Sequence, residues 1–420
     1  MTNNKDKKVL NVPNLRFPEF TEEWKKVRVS NLLDFYPTNS LSWEQLDYSN
    51  GQIKNLHYGL IHKGLPTMVD ASSDLLPYIK EEIVPKSYTL FKEGDVSFAD
   101  ASEDTNDVAK AIEILNCNGQ QIVSGLHTIH GRDNTDQTVI GYKGYAFASE
   151  SFHKQIRRIA QGTKVFSVSV RNFDETYIGV PSKDEQAKIA KLLIAIDKRI
   201  ATQNKIIEKY ESLIQAMCDT LIESDQHKVE LAFSDFGKSY SGLSGKSAGD
   251  FGEGCPYITY MNVYQNQIID TTNIGLVKIN GTEQQSVVHY GDILFTLSSE
   301  TAEEVGMGAV YLGDTYPLYL NSFCFGIHII DENKIFPPFL AFYVSTRSFR
   351  KVVFPLAQGS TRFNLQKNDF MKKGFSFPTV ERQRNIYSAL KTYSDKLSVE
   401  KSLAKLLCKQ KNHLLSQLFI

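Results

Sequence analysis

The 420-residue chain lacks the marks of secreted, membrane and cysteine-built metalloproteins. Its 5 cysteines are scattered, with no Cys-x-x-Cys pair, which argues against a disulfide framework or a zinc site. No apolar run approaches the roughly 20 residues that span a bilayer, and the N-terminus has no apolar signal core before a small-residue cleavage site. We therefore expect a cytoplasmic protein.

An excess of charge is also missing, since the formal net charge is −1. Any nucleic-acid-binding surface must therefore be local. Catalytic motifs are absent too. The segment Ser244-Gly245-Lys246-Ser247 resembles the end of a phosphate-binding loop, but Tyr240 stands where the motif requires its first glycine. No histidine has a cysteine or carboxylate at ligand spacing, so we expect no metal site.

The chain does contain a long amphipathic helix pattern, and it contains this pattern twice. The copies run from Asp184 to about Ile222 and from Glu381 to Phe419. Apolar residues recur at alternating steps of three and four, which keeps one seam of a helix facing a partner helix. Each seam position of the second copy is that of the first plus 197 (386 − 189 = 197). The seam residues are Ile189, Leu193, Ile196, Ile200, Gln203, Ile207 and Tyr210, then Ile386, Leu390, Tyr393, Leu397, Glu400, Ala404 and Leu407.

The two helices either pack on separate cores or pair with each other. We favour an antiparallel pair about a pseudo-twofold axis, in which Gln203 and Glu400 meet and fix the register. In the second copy, Lys411 stands at the position of Ile214, so we expect the second seam to weaken toward its end. Ser182 with Glu185 predicts a capping box at the start of the first copy only.

The same offset continues outside the helices. Residues 25–160 and 228–357 are both rich in short β-type runs separated by Gly, Pro, Asn and Asp. Within them, Gly94-Asp95-Val96 corresponds to Gly291-Asp292-Ile293, and Ala160-Gln161-Gly162 corresponds to Ala357-Gln358-Gly359. The pattern predicts an α+β fold in which two pseudo-symmetric α/β domains are joined by two long helices forming an antiparallel coiled coil. The predicted segments are an N-terminal arm (1–22), a first domain (23–160), a central helix region (161–226), a second domain (227–357) and a C-terminal helix region (358–420).

Two stretches without acidic residues, 151–173 and 333–368, lie at equivalent places in the repeat. Each contains a Gln-Gly turn followed by a hydroxyl and a cation, a combination that suits a phosphate oxygen. The alternative is a solvated basic face. The candidate phosphate contacts are Lys154, Arg157, Arg158, Thr163, Lys164, Arg350, Lys351, Ser360, Thr361 and Arg362. A helix of about 38 residues is about 57 Å long, more than the roughly 34 Å of one DNA turn, so two separated half-sites on double-stranded DNA are geometrically reasonable.

These residues resemble the DNA-specificity subunits of Type I restriction-modification enzymes. The resemblance rests on the opening Leu15-Arg16-Phe17-Pro18-Glu19-Phe20 with Trp24, and above all on a repeated run. That run goes from Ala160-Gln161-Gly162-Thr163 through Pro181 to Glu185-Gln186, and again from Ala357 through Pro378 to Glu381 and Gln383. The resemblance implies two target-recognition domains that each read half of a split sequence, and helices that serve as spacer and docking surface.

The resemblance also implies partners. Two methyltransferase subunits would dock on the helices, and translocase/endonuclease subunits would complete the complex. S-adenosylmethionine, ATP and Mg would belong to those partners, and this chain would carry no cofactor and no catalysis. Arg382 stands where the first helix has Glu185, and Lys411 falls on the second seam. These differences leave open whether the two helices present equivalent docking surfaces to the methyltransferase subunits.

Base-reading candidates are residues beside predicted strand ends that offer donors, acceptors or aromatic faces. Each could equally be an ordinary turn or core residue. They are Lys54, Asn55, His57, Lys63, Ser102, His127, His130 and Arg132 in the first domain, and Tyr260, Asn262, Tyr264, Ser298, Ser299 and Asn321 in the second. Two other functions stay open: a self-sufficient DNA endonuclease with an unrecognised active site, and a protein-interaction scaffold without DNA readout.

Overall fold

The computed structural model describes residues 11–420, and the first ten residues of the predicted N-terminal arm lie outside that range. The chain divides into two compact units. The first unit contains the described residues up to Asn204 together with Leu403–Ile420, and the second contains Lys205–Ser402. Each long helix therefore contributes one half to each unit. No helix among residues 11–420 is long and apolar enough to cross a membrane.

The first unit is built on two main sheets. One has five strands in the order β2-β11-β7-β9-β5 and the other has four in the order β10-β4-β6-β3, while β1 pairs with β13 and β8 with β12. The strands are β1 Lys25–Arg28, β2 Asp34–Tyr36, β3 Leu46–Asp47, β4 Ile53–Leu56, β5 Met68–Asp70, β6 Tyr78–Ile79, β7 Val96–Ala99, β8 Ala101–Ser102, β9 Ala111–Asn116, β10 Gln121–Ser124, β11 Thr128–Arg132, β12 Phe166–Ser167 and β13 Tyr177–Val180.

Helices cover the five-stranded sheet of the first unit. They are α1 Val29–Leu32, α2 Tyr58–His62, α3 Lys143–Phe147, α4 Glu150–Ile159 and the long α5 Lys183–Glu223, with 3-10 turns at Trp43–Gln45, Glu81–Ile83 and Val170–Glu175. The central strand β7 is buried along its whole length, which is why its sequence reads as a continuous apolar run apart from Ser97. Phe98 on this strand packs against Phe147 and Phe152 of the covering helices.

The second unit repeats this plan. Its main sheet has the order β15-β22-β18-β20, beside sheets β17-β16-β21 and β19-β24-β23 and the pair β14-β25. The strands are β14 Lys228–Ala232, β15 Gly237–Ser241, β16 Phe251–Ile258, β17 Gly275–Val277, β18 Ile293–Thr296, β19 Ser298–Ser299, β20 Gly308–Val310, β21 Tyr319–Leu320, β22 Cys324–Ile329, β23 Ala357–Gln358, β24 Phe363–Leu365 and β25 Gly374–Pro378.

The helices of the second unit cover a core rich in phenylalanine. They are α6 Tyr260–Gln265, α7 Pro337–Tyr343, α8 Arg347–Val353, α9 Lys367–Lys372 and the long α10 Val380–Gln417, with 3-10 turns at Phe233–Asp235, Ala248–Asp250, Ala302–Glu304 and Phe354–Leu356. Phe295, Phe349 and Phe370 lie within ring contact of one another in this core. The predicted α+β class with two repeated α/β domains and two long helices is confirmed.

One buried glutamine fastens the start of each long helix to its own sheet layer. Gln186 accepts a hydrogen bond from the amide of Val139 (2.9 Å) and donates to the carbonyls of Pro181 and Gln137. Gln383 does the same with the amide of Phe336 (2.8 Å) and the carbonyls of Pro378 and Lys334. All partners differ by 197 (336 − 139 = 197), so the duplication extends to single hydrogen bonds.

The long helices pack antiparallel inside each unit. In the first unit, Ile189 and Leu193 share a core with Leu415 and Leu418, and in the second, Ile214, Cys218 and Ile222 share one with Ile386 and Leu390. The partner number falls as the number along α5 rises, which is the antiparallel order that the seam predicted. The predicted contact between Gln203 and Glu400 involves one residue from each unit and stays a prediction. Gln203 is buried and Glu400 half-buried.

Two details of the helix prediction are corrected. Tyr393 is 37 % exposed although its counterpart Ile196 is buried, so the second seam is interrupted there. The Ser182–Glu185 capping box is also wrong. The amide of Glu185 does donate to Ser182 Oγ (3.4 Å), but the carboxylate accepts two bonds of 2.7 Å from Arg16 instead of returning to Ser182. The glutamate thereby ties the N-terminal arm to the helix.

The polar break at Lys411 is compensated across the helix pair of the first unit. Lys411 Nζ lies 2.7 Å from Asp197 Oδ1, and both side chains are less than one-fifth exposed. Tyr145 donates to Asp197 Oδ2 (2.7 Å), and its ring lies under the Lys411 ammonium. The lysine that weakens the apolar seam therefore has an anionic partner on α5 and an aromatic face beside it.

We expect Asp197→Ala to destabilise the first unit by about 1–3 kcal/mol, because it leaves the Lys411 ammonium and the Tyr145 hydroxyl without their acceptor in a partly buried site. Thermal unfolding of the Asp197→Ala, Lys411→Ala and double variants measures the coupling. Lys198→Ala, an exposed neighbour on the same helix, is the matched control. Additive effects of the two single substitutions would contradict the assigned pairing.

Candidate DNA-binding surfaces

The Gln-Gly segments form equivalent tight hairpins. In the first unit, Gln161 and Ser167 exchange both backbone hydrogen bonds, and in the second, Gln358 pairs with Asn364. Gly162 and Gly359 have φ of 139° and 135°, and a Cβ there would lie within 1.9 Å and 2.1 Å of a backbone oxygen. Glycine is therefore required at both positions. The tips, residues 163–164 and 360–362, are exposed.

A patch of polar and aromatic side chains lies beside the hairpin of the second unit. It consists of Tyr260, Tyr264, Ser298, Phe323 and Arg362, and we call it the second-unit patch. The Arg362 guanidinium donates to Ser298 Oγ (3.1 Å) and lies 5.3 Å from the ring centre of the exposed Phe323. Tyr260 donates to the Ser298 carbonyl (2.8 Å), and its ring stacks on that of Tyr264.

Two further candidates border the second-unit patch. Ser299 lies within hydrogen-bond distance of Glu304 (3.4 Å), whose pKa is lowered by hydrogen bonds from the hydroxyls of Tyr264 and Thr301. Asn321 Oδ1 accepts from the amide of Phe323 (2.9 Å) and so shapes the turn that presents this ring. Sequence reasoning missed Phe323. The signal was an aromatic residue in a polar turn just before strand β22.

The equivalent patch of the first unit has different chemistry. It consists of Tyr58, His62, Asp100, Ser102 and His127, and we call it the first-unit patch. His127 Nδ1 lies 3.1 Å from Asp100 Oδ1, and His62 Nε2 lies 2.9 Å from the carbonyl of Ala101. Tyr58 makes edge contacts with both imidazoles. Burial raises the pKa of Asp100 although His127 opposes the shift.

The two patches occupy corresponding places in the repeated backbone. Ser102 and Ser299 pair with Phe166 and Phe363, the residues that follow the two hairpin tips. His127 and Phe323 both occupy the turn that leads into the second strand of the main sheet. The same backbone frame therefore presents a tyrosine and a serine in both units, together with two histidines and an aspartate in the first, and a second tyrosine, an arginine and a phenylalanine in the second.

Comparison with known proteins identifies the family. The family model for the "Type I restriction modification DNA specificity domain" matches residues 21–212 and 235–407. The chain belongs to this family. A search of curated proteins finds no significant match.

Two solved structures share the fold. The specificity subunit of a Type I restriction-modification system from M. genitalium is 17 % identical, with a TM-score of 0.54 over 97 % of this chain and 99 % of that one. The second structure was described in work on complex assembly and conformational transition of the Type I restriction-modification system. Its chain is 15 % identical, with a TM-score of 0.51, and the match covers 93 % of this chain and 96 % of that one. The resemblance inferred from the sequence is thus confirmed, and the protein is a DNA-specificity subunit with two recognition domains.

Several base-reading candidates of this specificity subunit are buried. Lys54 lies over the Tyr78 ring, and burial lowers its pKa. Asn55 donates to Asn39 (3.0 Å), and His57 Nδ1 accepts from the amide of Gly59 (3.2 Å). Burial, helped by the charge of His127, lowers the pKa of His57 to about 4. Their side chains are shielded from a base edge, because the predicted strand end lies inside the four-stranded sheet. Lys63 is exposed.

Three other candidates are structural. His130 and Arg132 both bind the buried carboxylate of Asp95, with Nε2–Oδ2 and Nη2–Oδ2 distances of 2.8 Å and 2.7 Å. Asn262 is buried and bonds to the backbone of Asp270 and Asn273, so it fixes a loop. The prediction placed all three beside strand ends, but only Arg132 ends a strand, while His130 lies in the middle of β11 and Asn262 lies in α6.

The cations of the two basic stretches fall into two groups. Lys154, Arg158, Lys164 and Lys351 are exposed. Arg157 instead pairs with Glu150, and Arg350 donates to the carbonyls of Glu303, Val305 and Gly306. Burial lowers the pKa of Arg350. The guanidinium groups of these two arginines are therefore engaged within their own units, whereas the hairpin-tip candidates are exposed.

Equivalent grooves run beside the first turns of the two long helices. The groove at α5, about 470 Å³ in volume, is lined mainly by apolar residues: Val139, Ile140, Ala187, Ala190, Ile194 and Ala195, with Lys191 and Lys198. The groove at α10, about 410 Å³, is lined by Phe336, Arg384, Tyr387, Ser388, Lys391 and Thr392. Matching positions differ by 197 (387 − 190 = 197), and each groove carries two cationic side chains, but the other residues are mainly aliphatic at α5 and include Phe336 and Tyr387 at α10.

One group of potential metal ligands contradicts the expectation of no ligand spacing. His289, Asp292 and His328 each offer a ligand atom, and these atoms lie within 4.8 Å of one another. The sequence contains His289-x-x-Asp292, but His328 joins it only through the pairing of strands β18 and β22.

We expect Asp95→Asn to destabilise the first unit by about 3–5 kcal/mol, because Arg132 and His130 lose a buried anion. Burial opposes ionisation of Asp95, but Arg132, His130 and the Lys92 amide hold its pKa below the usual range. Its stabilisation is therefore complete above the unfolded-state pKa of about 3.9 and is lost as the pH falls through the lower folded-state value. Thermal unfolding from pH 7 to 3, with Asp184→Asn as the exposed control, measures this. An unchanged acid profile in Asp95→Asn would refute the assignment.

Proposed function

We propose that each patch reads one half of a split double-stranded DNA sequence while the neighbouring hairpin tip contacts the phosphate backbone. The juxtaposition of hairpin and patch in each unit carries the proposal. In the second unit the exposed Arg362 contacts Ser298 and Phe323 of the patch, and in the first unit the hairpin that carries the exposed Lys164 leads into the strand that pairs with Ser102. Acidic residues are absent from both hairpins and their flanks, so the local field favours an anionic backbone.

The two half-sites differ in sequence under this proposal. The first-unit patch offers an acidic acceptor, Asp100, and imidazoles, which suit exocyclic amino groups and purine acceptors. The second-unit patch offers the tyrosine hydroxyls of Tyr260 and Tyr264 and the exposed ring of Phe323, which suit hydrogen bonds and apolar contacts with base edges. Because the backbone frames correspond, the difference in readout comes from the side chains.

The chain itself performs no catalysis in this proposal. Two methyltransferase subunits dock on the long helices and supply S-adenosylmethionine, and translocase/endonuclease subunits supply ATP- and Mg-dependent steps in the cytoplasm. The grooves beside α5 and α10 are the proposed docking positions. The aliphatic side chains of one groove and the aromatic side chains of the other imply that the two methyltransferase subunits meet unequal surfaces on this chain.

We expect Lys164→Ala and Arg362→Ala to weaken DNA binding by the assembled complex, with the slope of log affinity against log salt falling by about 1 for each variant. Lys164 makes no hydrogen bond or ion pair with any residue in the described part of the chain, so its substitution leaves the fold intact. A salt titration measures the slope, with Lys86→Ala and Lys396→Ala as exposed controls. An unchanged slope in Lys164→Ala would contradict a phosphate contact.

We expect His127→Ala to cost about 1–3 kcal/mol of discrimination at one half-site only. The assay measures DNA methylation by the assembled complex on DNA libraries in which one half of the target is randomised at a time. The His227→Ala variant is the control. Relaxed preference in one half supports base reading by the first-unit patch. Equal loss on both halves would mean that His127 supports the fold or the backbone contact instead. DNA cleavage by the isolated chain with Mg²⁺ would sink the non-catalytic assignment.

A further inference from the structure

The buried aspartate of the second unit lacks the permanent cation that its counterpart has. Asp95 in the first unit binds the Arg132 guanidinium through two bonds, 2.8 Å to Oδ1 and 2.7 Å to Oδ2. Asp292 is equally buried, at 0 % exposure, and follows the same left-handed glycine, Gly291, with φ of 86° as at Gly94. A buried carboxylate is costly unless hydrogen bonds and positive charge compensate it, so a cation bound beside Asp292 would stabilise the second unit.

The strand register shows which residue replaces the arginine. Val96 pairs with Gly131 in the first unit, and its counterpart Ile293 pairs with Ile327 in the second. The next residues along the strand, Arg132 and His328, are therefore equivalent. Each lies beside its aspartate, and His328 Nδ1 is 2.7 Å from Asp292 Oδ1. An arginine has been exchanged for an imidazole, which is a metal ligand when neutral.

The register also accounts for Tyr240. The strand position of His130 is occupied in the second unit by Gly326, where a Cβ would lie 2.2 Å from the Tyr240 ring. The glycine lets this ring cross the strand, and Tyr240 donates to Asp292 Oδ2 (2.6 Å). The amide of His289 donates to the same oxygen (2.9 Å). Both bonds fix Oδ2 and leave Oδ1 directed at His328.

A second imidazole completes the cluster. His289 lies three residues before Asp292, and its ring centre is 5.1 Å from that of His328. Its counterpart in the first unit is Lys92 (289 − 92 = 197), which is not a metal ligand at neutral pH. Both histidines are exposed, so an ion reaches them from solvent. The first unit therefore has neither imidazole at the equivalent positions.

We propose that His289, Asp292 and His328 bind a transition-metal dication of the zinc type, with Asp292 Oδ1 as the carboxylate ligand. Two imidazoles and a carboxylate favour Zn²⁺ and its neighbours over Mg²⁺ or Ca²⁺, which prefer oxygen ligands. The ion supplies the charge that Arg132 supplies in the first unit and links the turn at residues 289–292 to strand β22. The proposal is independent of the DNA-reading assignment, since none of these residues belongs to the second-unit patch.

The geometry needs a small adjustment to receive the ion. Tetrahedral ligand atoms at about 2.0–2.2 Å from zinc are about 3.3 Å apart, whereas Nδ1 of His328 and Oδ1 of Asp292 are 2.7 Å apart. The His328 side chain is 46 % exposed, so a small rotation of its ring provides this separation. Asp292 remains fixed by Tyr240 and the His289 amide, which is how outer hydrogen bonds orient metal-binding carboxylates.

The test is titration of the full-length chain, freed of metal by chelator, with Zn²⁺ and Co²⁺ by calorimetry and visible absorbance. The Cys408→Ser background removes an exposed thiol that could bind either ion. We expect one site per chain, which His289→Gln and His328→Gln abolish and His227→Gln leaves intact. Tyr240→Phe is expected to weaken it about 10- to 100-fold. Absence of a site, or a site unaffected by the His289 and His328 substitutions, overturns the proposal.

The His328→Arg variant distinguishes an effect of losing the metal ion from an effect of losing the folded structure. This variant places in the second unit the residue that binds Asp95 in the first, so the aspartate keeps a cation without a metal ion. We expect wild-type thermal stability to rise with added Zn²⁺ and the stability of His328→Arg to be independent of it. A zinc-dependent stability shift of equal size in both proteins would show that the ion acts elsewhere and would overturn the assignment.

Discussion

A buried glutamine at the first turn of each long helix is the constraint on which the architecture depends. Gln186 and Gln383 are 0 % exposed, and each uses both its amide oxygen and its amide nitrogen on backbone groups of its own unit. A helix start leaves backbone groups without partners, and the linker before it must also be oriented. The two glutamines meet the second need, because each bonds to the carbonyl of the proline before its helix and to a neighbouring loop.

Duplication has preserved this frame while the functional side chains have diverged. Backbone features such as Gly162 and Gly359, or the strand pairs at Ser102 and Ser299, occur at the same offset with nearly the same geometry. In contrast, His127 corresponds to Phe323, and Arg132 to His328. A backbone conformation allows few substitutions, because only glycine accepts a positive φ in a crowded turn. Exposed side chains at patch positions carry no such restriction, and recognition can change without cost to the fold.

Polar residues inside the helix pair show how the fold tolerates departures from an apolar seam. Lys411 would weaken a seam made only of aliphatic residues. Within the first unit, however, its ammonium pairs with the Asp197 carboxylate and lies over the Tyr145 ring. The compensation comes partly from outside the two long helices, since Tyr145 belongs to the short helix α3. The buried carboxylates of Asp95 and Asp292 likewise have hydrogen-bonding partners on a neighbouring strand, Arg132 in the first unit and His328 in the second.

The sequence alone determined the duplication, the two antiparallel helices, the α/β domains and the family, because periodicity and a constant offset are properties of neighbouring residues along the chain. The tertiary structure alone decided which polar side chains are available. It buried His57, Asn262 and His130, gave Arg350 three carbonyl partners, and brought Arg362 to Ser298 and His328 to Asp292. Those pairings depend on strand register between residues tens of positions apart, and a shift of one residue would send each side chain to the opposite face.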